Sequence, residues 1–168
     1  MKNPVITFAS WLTAIWAAKV FLSSVPYKFS NHPDTQHIFG TIGGWMKGIL
    51  GNGIGQSFVD YGAYAVGTVE IIASFVLLLP ALLFVLVKLN VLSVAPPRSL
   101  LHCLGFLMAA GVMSGAVFFH LFTPLGIEVI HEGKSDNGSL FYAACSILIM
   151  GYLMAWLNWQ NWKTQKKQ

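Results

Sequence analysis

The sequence predicts an all-α membrane protein: a four-helix transmembrane bundle with an additional amphipathic interfacial helix in its first outer loop, forming a single integral membrane domain over residues 1–168. Composition is the first observation behind this reading. The chain is 55% hydrophobic and only 10% charged, whereas soluble domains average about 25% charged. The second is a set of four apolar stretches, each at or above the roughly 18 residues that mark a membrane-crossing helix. The third is the placement of the basic residues, which gather at the chain ends and in one short loop. The net charge of +4 therefore reads as membrane topology, with the lipid bilayer as partner and no nucleic acid.

Residues Pro4 to Val25 form the first span, which is longer than a secretory h-region and lacks an A-x-A cleavage site, so it is expected to be retained. Pro26 is expected to end this helix before Tyr27 and Lys28. Lys19 lies in its distal part. It either snorkels to the interface along its aliphatic stem or pairs with an acid inside the bundle. The long first loop, Ser30 to Asp60, contains apolar residues at Ile38, Phe39, Ile42, Trp45, Met46, Ile49 and Leu50, the spacing of an amphipathic helix over Thr35 to Leu50. Asp34 reads as its N-cap and the glycines from Gly48 to Gly55 as its end. Such a segment either lies along the membrane surface or covers the mouth of a pocket.

Tyr61 to Leu89 is the second span and the centre of the reading. At about 1.5 Å per residue it reaches roughly 43 Å, more than a hydrocarbon core, so it tilts, kinks at Pro80 or enters the headgroups. It contains one carboxylate, Glu70, and an ionised acid in hydrocarbon is costly enough to require a partner or the bundle interior. Ala63, Gly67, Ala73 and Ser74 share its helical face, and this small-residue stripe lets another helix approach. Pro96 and Pro97 mark a short connection to the third span, Ser99 to Phe122. There Gly111 and Gly115 form a GxxxG and Gly105 with Ala109 a second small pair, both read as close-packing signals. A polar loop, Thr123 to Gly138, precedes the fourth span, Ser139 to Trp159. Tyr152, Trp156, Trp159 and Trp162 supply its aromatic belt.

The positive-inside count places both termini in the cytoplasm. Lys2, Lys88, Arg98, Lys163, Lys166 and Lys167 then face inward against Lys28, Lys47 and Lys134 outside, which gives a multi-pass protein with both termini on the cytoplasmic side; the expected location is the bacterial inner (cytoplasmic) membrane. Cys103 and Cys145 fall near opposite faces, too far apart to bridge. The absence of a CxxC pair argues against vicinal-thiol quinone chemistry.

No hydrolase, P-loop or dinucleotide motif occurs, so no residue is assigned a catalytic role, and the chain is at most a subunit of an enzyme. His102 and His120 share one face of the third span, but a b-type haem needs a histidine at matching depth on another helix, and none exists. His120, Glu128, His131 and Glu132, with His32, Asp34 and His37, lack tight metal-ligand spacing and read as loop residues; no metal is assigned. The favoured constellation is a ligand-binding pocket in the outer half of the bundle built from Glu70, His120 and either Lys19 or Lys28. Apolar walls with one carboxylate and one imidazole suit a quinone head group or another small amphiphile. The competing reading is a buried pair that fixes helix register and binds nothing.

The segments FLSSVPYKF, HIFGTIGGWM, YGAYAVGTVEIIASFVLLLP with its glutamate, and HLFTPLGIEV resemble the DoxX-like family of four-helix bacterial membrane proteins. The resemblance covers most of the chain through loose motifs, with Lys28 and Glu70 at the matched positions. It implies a small membrane subunit or accessory of a quinone-linked redox system, with quinone the one cofactor to consider and a soluble redox protein as partner; a homo-oligomer stays open. The alternatives from other classes are a proton-coupled carrier or channel for a small solute and a ligand-free membrane scaffold.

Overall fold

The computed structural model describes residues 3–166; Lys2 and Lys167, used in the charge count above, lie outside it. Its elements are α1 (Pro4–Phe29), α2 (Pro33–Leu50), α3 (Asn52–Lys88), α4 (Arg98–Phe122), the two-residue strands β1 (Ile130–His131) and β2 (Lys134–Ser135), and α5 (Ser139–Gln165). Helices α1, α3, α4 and α5 are each long and apolar enough to cross a membrane. Large apolar side chains such as Phe8, Phe75, Phe84, Ile149 and Trp156 are exposed on the outer surface of the bundle, as expected of faces that meet lipid. The protein is a multi-pass helical membrane bundle.

Helix α1 begins on an Asn3 cap, whose side-chain oxygen accepts from the Val5 and Ile6 amides with Pro4 in the first turn. It does not stop at Pro26. The helix runs on to Phe29, and the Ser30 amide still donates to the Pro26 carbonyl at 3.0 Å. Proline removes one amide donor, but membrane helices accept this where hydroxyls and neighbouring helices meet the local polar groups. Ser23 and Ser24 here bond the Val20 and Phe21 carbonyls. The extra turn carries Lys28 along the bundle rather than into a loop.

Helix α2 forms as its apolar spacing predicts, but its N-cap is His32, whose Nδ1 accepts from the Asp34 amide at 3.3 Å, and not Asp34 itself. It ends at Gly51, which adopts φ +88°, a backbone state that favours glycine. Gly53 and Gly55 therefore belong to the start of α3, a 37-residue helix that is about 55 Å long. Helix α2 folds back along α3 where Gly43 and Gly55 meet: a Cβ on Gly43 would lie 2.8 Å from the Gly55 carbonyl oxygen. Thr123 to Gly138 is not wholly irregular, because Glu132 and Gly133 take positive φ and turn a short antiparallel hairpin with Ile130 opposite Ser135.

The main core lies at mid-bundle, where Phe21, Leu77, Phe106 and Ile147 are fully buried among Ala14, Ala17, Ala73 and Ala109. A second cluster, Ile42 with Leu125 and Val129, joins α2 to the α4–α5 connection at one end. Small residues set the helix approaches. A Cβ on Gly105 would lie 2.8 Å from Leu77 Cδ2 and 3.1 Å from the Leu77 amide nitrogen, and one on Gly151 would lie 3.1 Å from Ala110 Cβ. The Gly111/Gly115 pair behaves otherwise: a Cβ at either would meet nothing within 4 Å. The packing read from that GxxxG is not made, because no helix lies against the face of α4 that carries these two glycines. Cys103 and Cys145 are both free thiols.

This contrast sets an expected outcome for thermal unfolding in detergent. Gly105→Ala should lose about 1 to 3 kcal/mol through overpacking against α3. Gly111→Ala and Gly115→Ala should leave Tm unchanged or raise it, since alanine is the better helix former by up to about 1 kcal/mol.

Candidate functional site

Glu70 lies near the middle of α3 and is 3% exposed. Gly67, Ala73 and Ser74 on its face are also buried, so the small-residue stripe does admit a neighbour, and that neighbour is α1. The ammonium of Lys28 lies 2.7 Å from Glu70 Oε2 and 2.7 Å from Ser24 Oγ. Ser24 Oγ is 2.9 Å from the same carboxylate oxygen and 2.7 Å from the Phe21 carbonyl, so its one hydrogen serves either acceptor. Ser24 and Lys28 stand one turn apart on α1, which is why the helix must continue through Pro26 for the pair to form. A Cβ on Gly67 would lie 2.7 Å from the Phe29 ring and 3.3 Å from Lys28 Cδ, so the lysine stem passes over a position with no side chain.

Lys19 is not part of this arrangement. It is exposed, with its ammonium 5.9 Å from the centre of the Trp16 ring. Nine residues along a helix is a rotation of roughly 180° from Lys28, so when Lys28 faces inward Lys19 faces outward.

His120 near the end of α4 is buried, with Nδ1 2.6 Å from the Gly126 carbonyl oxygen. A carbonyl only accepts, so Nδ1 carries the hydrogen, and Nε2 of the neutral ring is an acceptor. The Phe141 ring stands edge-on to the imidazole at 5.7 Å. The turn that holds Gly126 is ordered by Asp136, which accepts from the amides of Val129 (2.7 Å), Gly138 (3.0 Å) and Leu140 (3.0 Å). Burial pushes the Asp136 carboxyl up, but those three amides and the nearby His120 outweigh it and hold it below the usual carboxylate range. Asp136 also takes an otherwise free amide of the first turn of α5, acting as its anionic cap.

These side chains open onto one cavity of about 730 Å³, lined by all five helices. Its walls are mainly apolar, Ile38, Ile42, Phe58, Val112 and Phe119 among them, and its polar lining includes Lys28, Glu70 and His120. Gly111 and Gly115 face into it, which accounts for the open space at both. Lys28 and Glu70 use only part of their bonding capacity on each other, since Glu70 Oε1 has no hydrogen-bond partner among the described residues.

Asp34 also borders the cavity and joins α2 to the hairpin: its Oδ1 lies 2.8 Å from His131 Nδ1, and its Oδ2 lies 3.4 Å from His32 Nδ1. His131 stacks on His37 with ring centres 4.6 Å apart. The hydrogen bond from His131 holds the Asp34 carboxyl below its ordinary value despite some desolvation. Among the described residues, no three His, Cys, Asp or Glu side chains are arranged to hold a metal ion. His102 lies apart from the cavity, fully buried between Trp11 and Phe106 and bonded through Nδ1 to Arg98.

Sequence reasoning brought Glu70 and His120 together with either Lys19 or Lys28, left that choice open, and missed Ser24 and Asp136. Ser24 was legible in principle as the residue one turn before Lys28. Asp136 was legible from the run SDNGS ahead of an apolar span, a helix-start signal. No protein-family model, no curated protein and no solved structure matches this chain.

Two outcomes follow from this geometry. Glu70→Gln or Lys28→Met alone strands one member of a buried pair and should destabilise the bundle by about 3 kcal/mol or more, while the double variant should recover part of that loss. Unfolding in detergent measures all three. The second outcome concerns pH. Asp34 and Asp136 have folded-state values below the ordinary 3.8, so they contribute stability above that value that is lost as pH falls through the lower, folded-state values. Protease cutting of the 123–138 segment should therefore rise below about pH 4, and Asp136→Asn should show the faster cutting already at pH 7.

Proposed function

We propose that this protein holds a small amphipathic molecule, with a quinone head group as the leading chemistry, and serves as a membrane subunit or accessory of a redox system. The observation that carries this reading is a cavity that combines apolar walls with the Lys28–Glu70 pair and the His120 imidazole. Large cavities with few, convergent polar groups are the usual form of a ligand site. The resemblance to DoxX-like proteins supports the same reading. With the bacterial inner membrane as its place and both termini cytoplasmic, the cavity, the hairpin and α2 fall on the outer side, and α2 lies at the interface over the cavity.

The polar atoms suit both ends of quinone chemistry. Lys28 donates to a ligand carbonyl, Glu70 Oε1 accepts from a ligand hydroxyl, and His120 Nε2 accepts a hydrogen or a proton. When bound, the quinone supplies the two-electron redox chemistry. The chain orients the head group, excludes bulk water with Phe119 and Ile42, and holds the exchanging proton at Nε2 while Nδ1 stays tied to Gly126.

Native mass spectrometry from a mild detergent tests this directly. The wild type should carry a quinone, and Gly115→Leu, which enters the cavity from α4 at a position where a Cβ meets nothing within 4 Å, should lose it with Tm held within about 3 °C. Equal ligand content in the two proteins, or no quinone in the wild type, overturns the reading.

A further inference from the structure

The end of the bundle away from the cavity contains a second polar cluster, and it has no acid. All six Asp and Glu side chains, Asp34, Asp60, Glu70, Glu128, Glu132 and Asp136, lie on α2, on α3 up to Glu70 or in the α4–α5 connection. None lies on α1, on the remainder of α3, on α4 or on α5. Arg98 starts α4 in this acid-free region. Its Nη1 lies 3.0 Å from His102 Nδ1 and 3.4 Å from Asn158 Oδ1, and its Nη2 donates to Thr7 Oγ1 at 3.0 Å. All three partners are neutral, so the guanidinium charge is unmatched, and Nε with one hydrogen of Nη2 is left without a partner among the described residues. Both are guanidinium donors of the kind that carboxylate or phosphate oxygens take.

A second observation lies on α5. Asn161 is 8% exposed, and its side-chain nitrogen has no hydrogen-bond partner. It stands on the same face as Asn158, which meets Arg98, and Gln165, which accepts from Ser99 in the first turn of α4. Asn161 is therefore between two contacts to that turn, facing the start of α4, whose first amides have no side-chain cap. A buried amide donor left unmatched is uncommon and calls for a missing acceptor. Depth identifies the source of that acceptor. Lys163 and Lys166 lie over the Trp159 and Trp162 rings at 5.0 and 4.3 Å, a pairing suited to the headgroup region. Lys88 adds another positive charge at the same end.

We propose that Arg98 and Asn161, on the first turn of α4 and the last turns of α5, form a binding site for the phosphate of an anionic phospholipid headgroup. The proposal is independent of the cavity. A phosphate there matches the Arg98 charge, takes its unpartnered donors and the Asn161 amide, and meets the positive end of the α4 dipole.

The test compares Tm in neutral detergent on addition of phosphatidylglycerol, of phosphatidylcholine and of inorganic phosphate alone. Phosphatidylglycerol should raise Tm by at least about 4 °C and phosphatidylcholine by less. Asn161→Asp places a carboxylate beside the guanidinium, so it should keep or raise the lipid-free Tm and abolish the lipid shift. Arg98→Lys, which keeps the charge and loses the guanidinium donors, should lower phosphatidylglycerol retention in native mass spectrometry about tenfold. The same shift in Asn161→Asp and wild type, or undiminished retention in Arg98→Lys, overturns the site. A full shift with inorganic phosphate alone overturns the lipid as its source and leaves a soluble anion.

Discussion

A carboxylate in the middle of an apolar 37-residue helix is the constraint from which the outer half of this molecule follows. In hydrocarbon, Glu70 without a cation is too costly to keep, and among the described residues its carboxylate takes its partners from α1. That contact has several requirements in the primary structure. The first helix must continue past Pro26, so that Lys28 is presented on a helical face one turn from Ser24. Position 67 must have no side chain, so that the lysine stem and Phe29 fit. Residues 73 and 74 must be small, so that the two helices stay close below the pair. All are met, and each would be unremarkable without the acid.

The polar groups inside the bundle are divided by charge. One cluster, Lys28 with Ser24 and Glu70, is a matched pair. The other, Arg98 with Thr7, His102, Asn158 and Ser10, is a cation surrounded by dipoles, in which the Asn158 amide donates to Ser10 at 2.7 Å and to the Met154 carbonyl at 2.8 Å. The apolar layer of Phe21, Leu77, Phe106 and Ile147 separates them. Lipid tails are as apolar as leucine, so burial of hydrocarbon does little to hold these helices together, and close packing with interhelical hydrogen bonds must do so instead. The two clusters tie α1 to α3 at one end and α1 to α4 and α5 at the other. Between them, Gly105 and Gly151 provide the close approaches.

How much of this was legible follows from the kind of signal each feature leaves. The four spans and the helix around Trp45 are periodic or continuous over many residues, and such patterns survive tertiary context. The Glu70 site was legible because an acid in hydrocarbon has few solutions. The choice of Lys28 over Lys19 was not settled, because it depended on whether α1 passes Pro26, and a proline rule learned from water-exposed helices gives the wrong answer where serine hydroxyls and a packed neighbour are present. The Asp34 cap failed for a similar reason: His131, nearly a hundred positions away in the chain, claims the carboxylate, and the cap passes to His32. The hairpin at Glu132 and Gly133 left only a short, weak turn signal.

The Gly111/Gly115 pair makes the most general point about reading small residues. A glycine in a membrane helix permits close approach; it does not cause it. On the same helix, Gly105 is pressed against Leu77, while two turns further along the glycines border open space. The difference lies in what faces them. Near Gly105 the α3 backbone itself is in contact, whereas Gly111 and Gly115 look across the cavity shared with Glu70, Ile42 and Phe58. Apolar walls around a void of about 730 Å³ forgo the dispersion contacts that a packed helix would make there. Small side chains enlarge that void, and a Cβ at either position would meet nothing within 4 Å. Two glycines facing the ion pair and the imidazole therefore keep this space open, and the helix packing that a GxxxG permits is made elsewhere on α4, at Gly105.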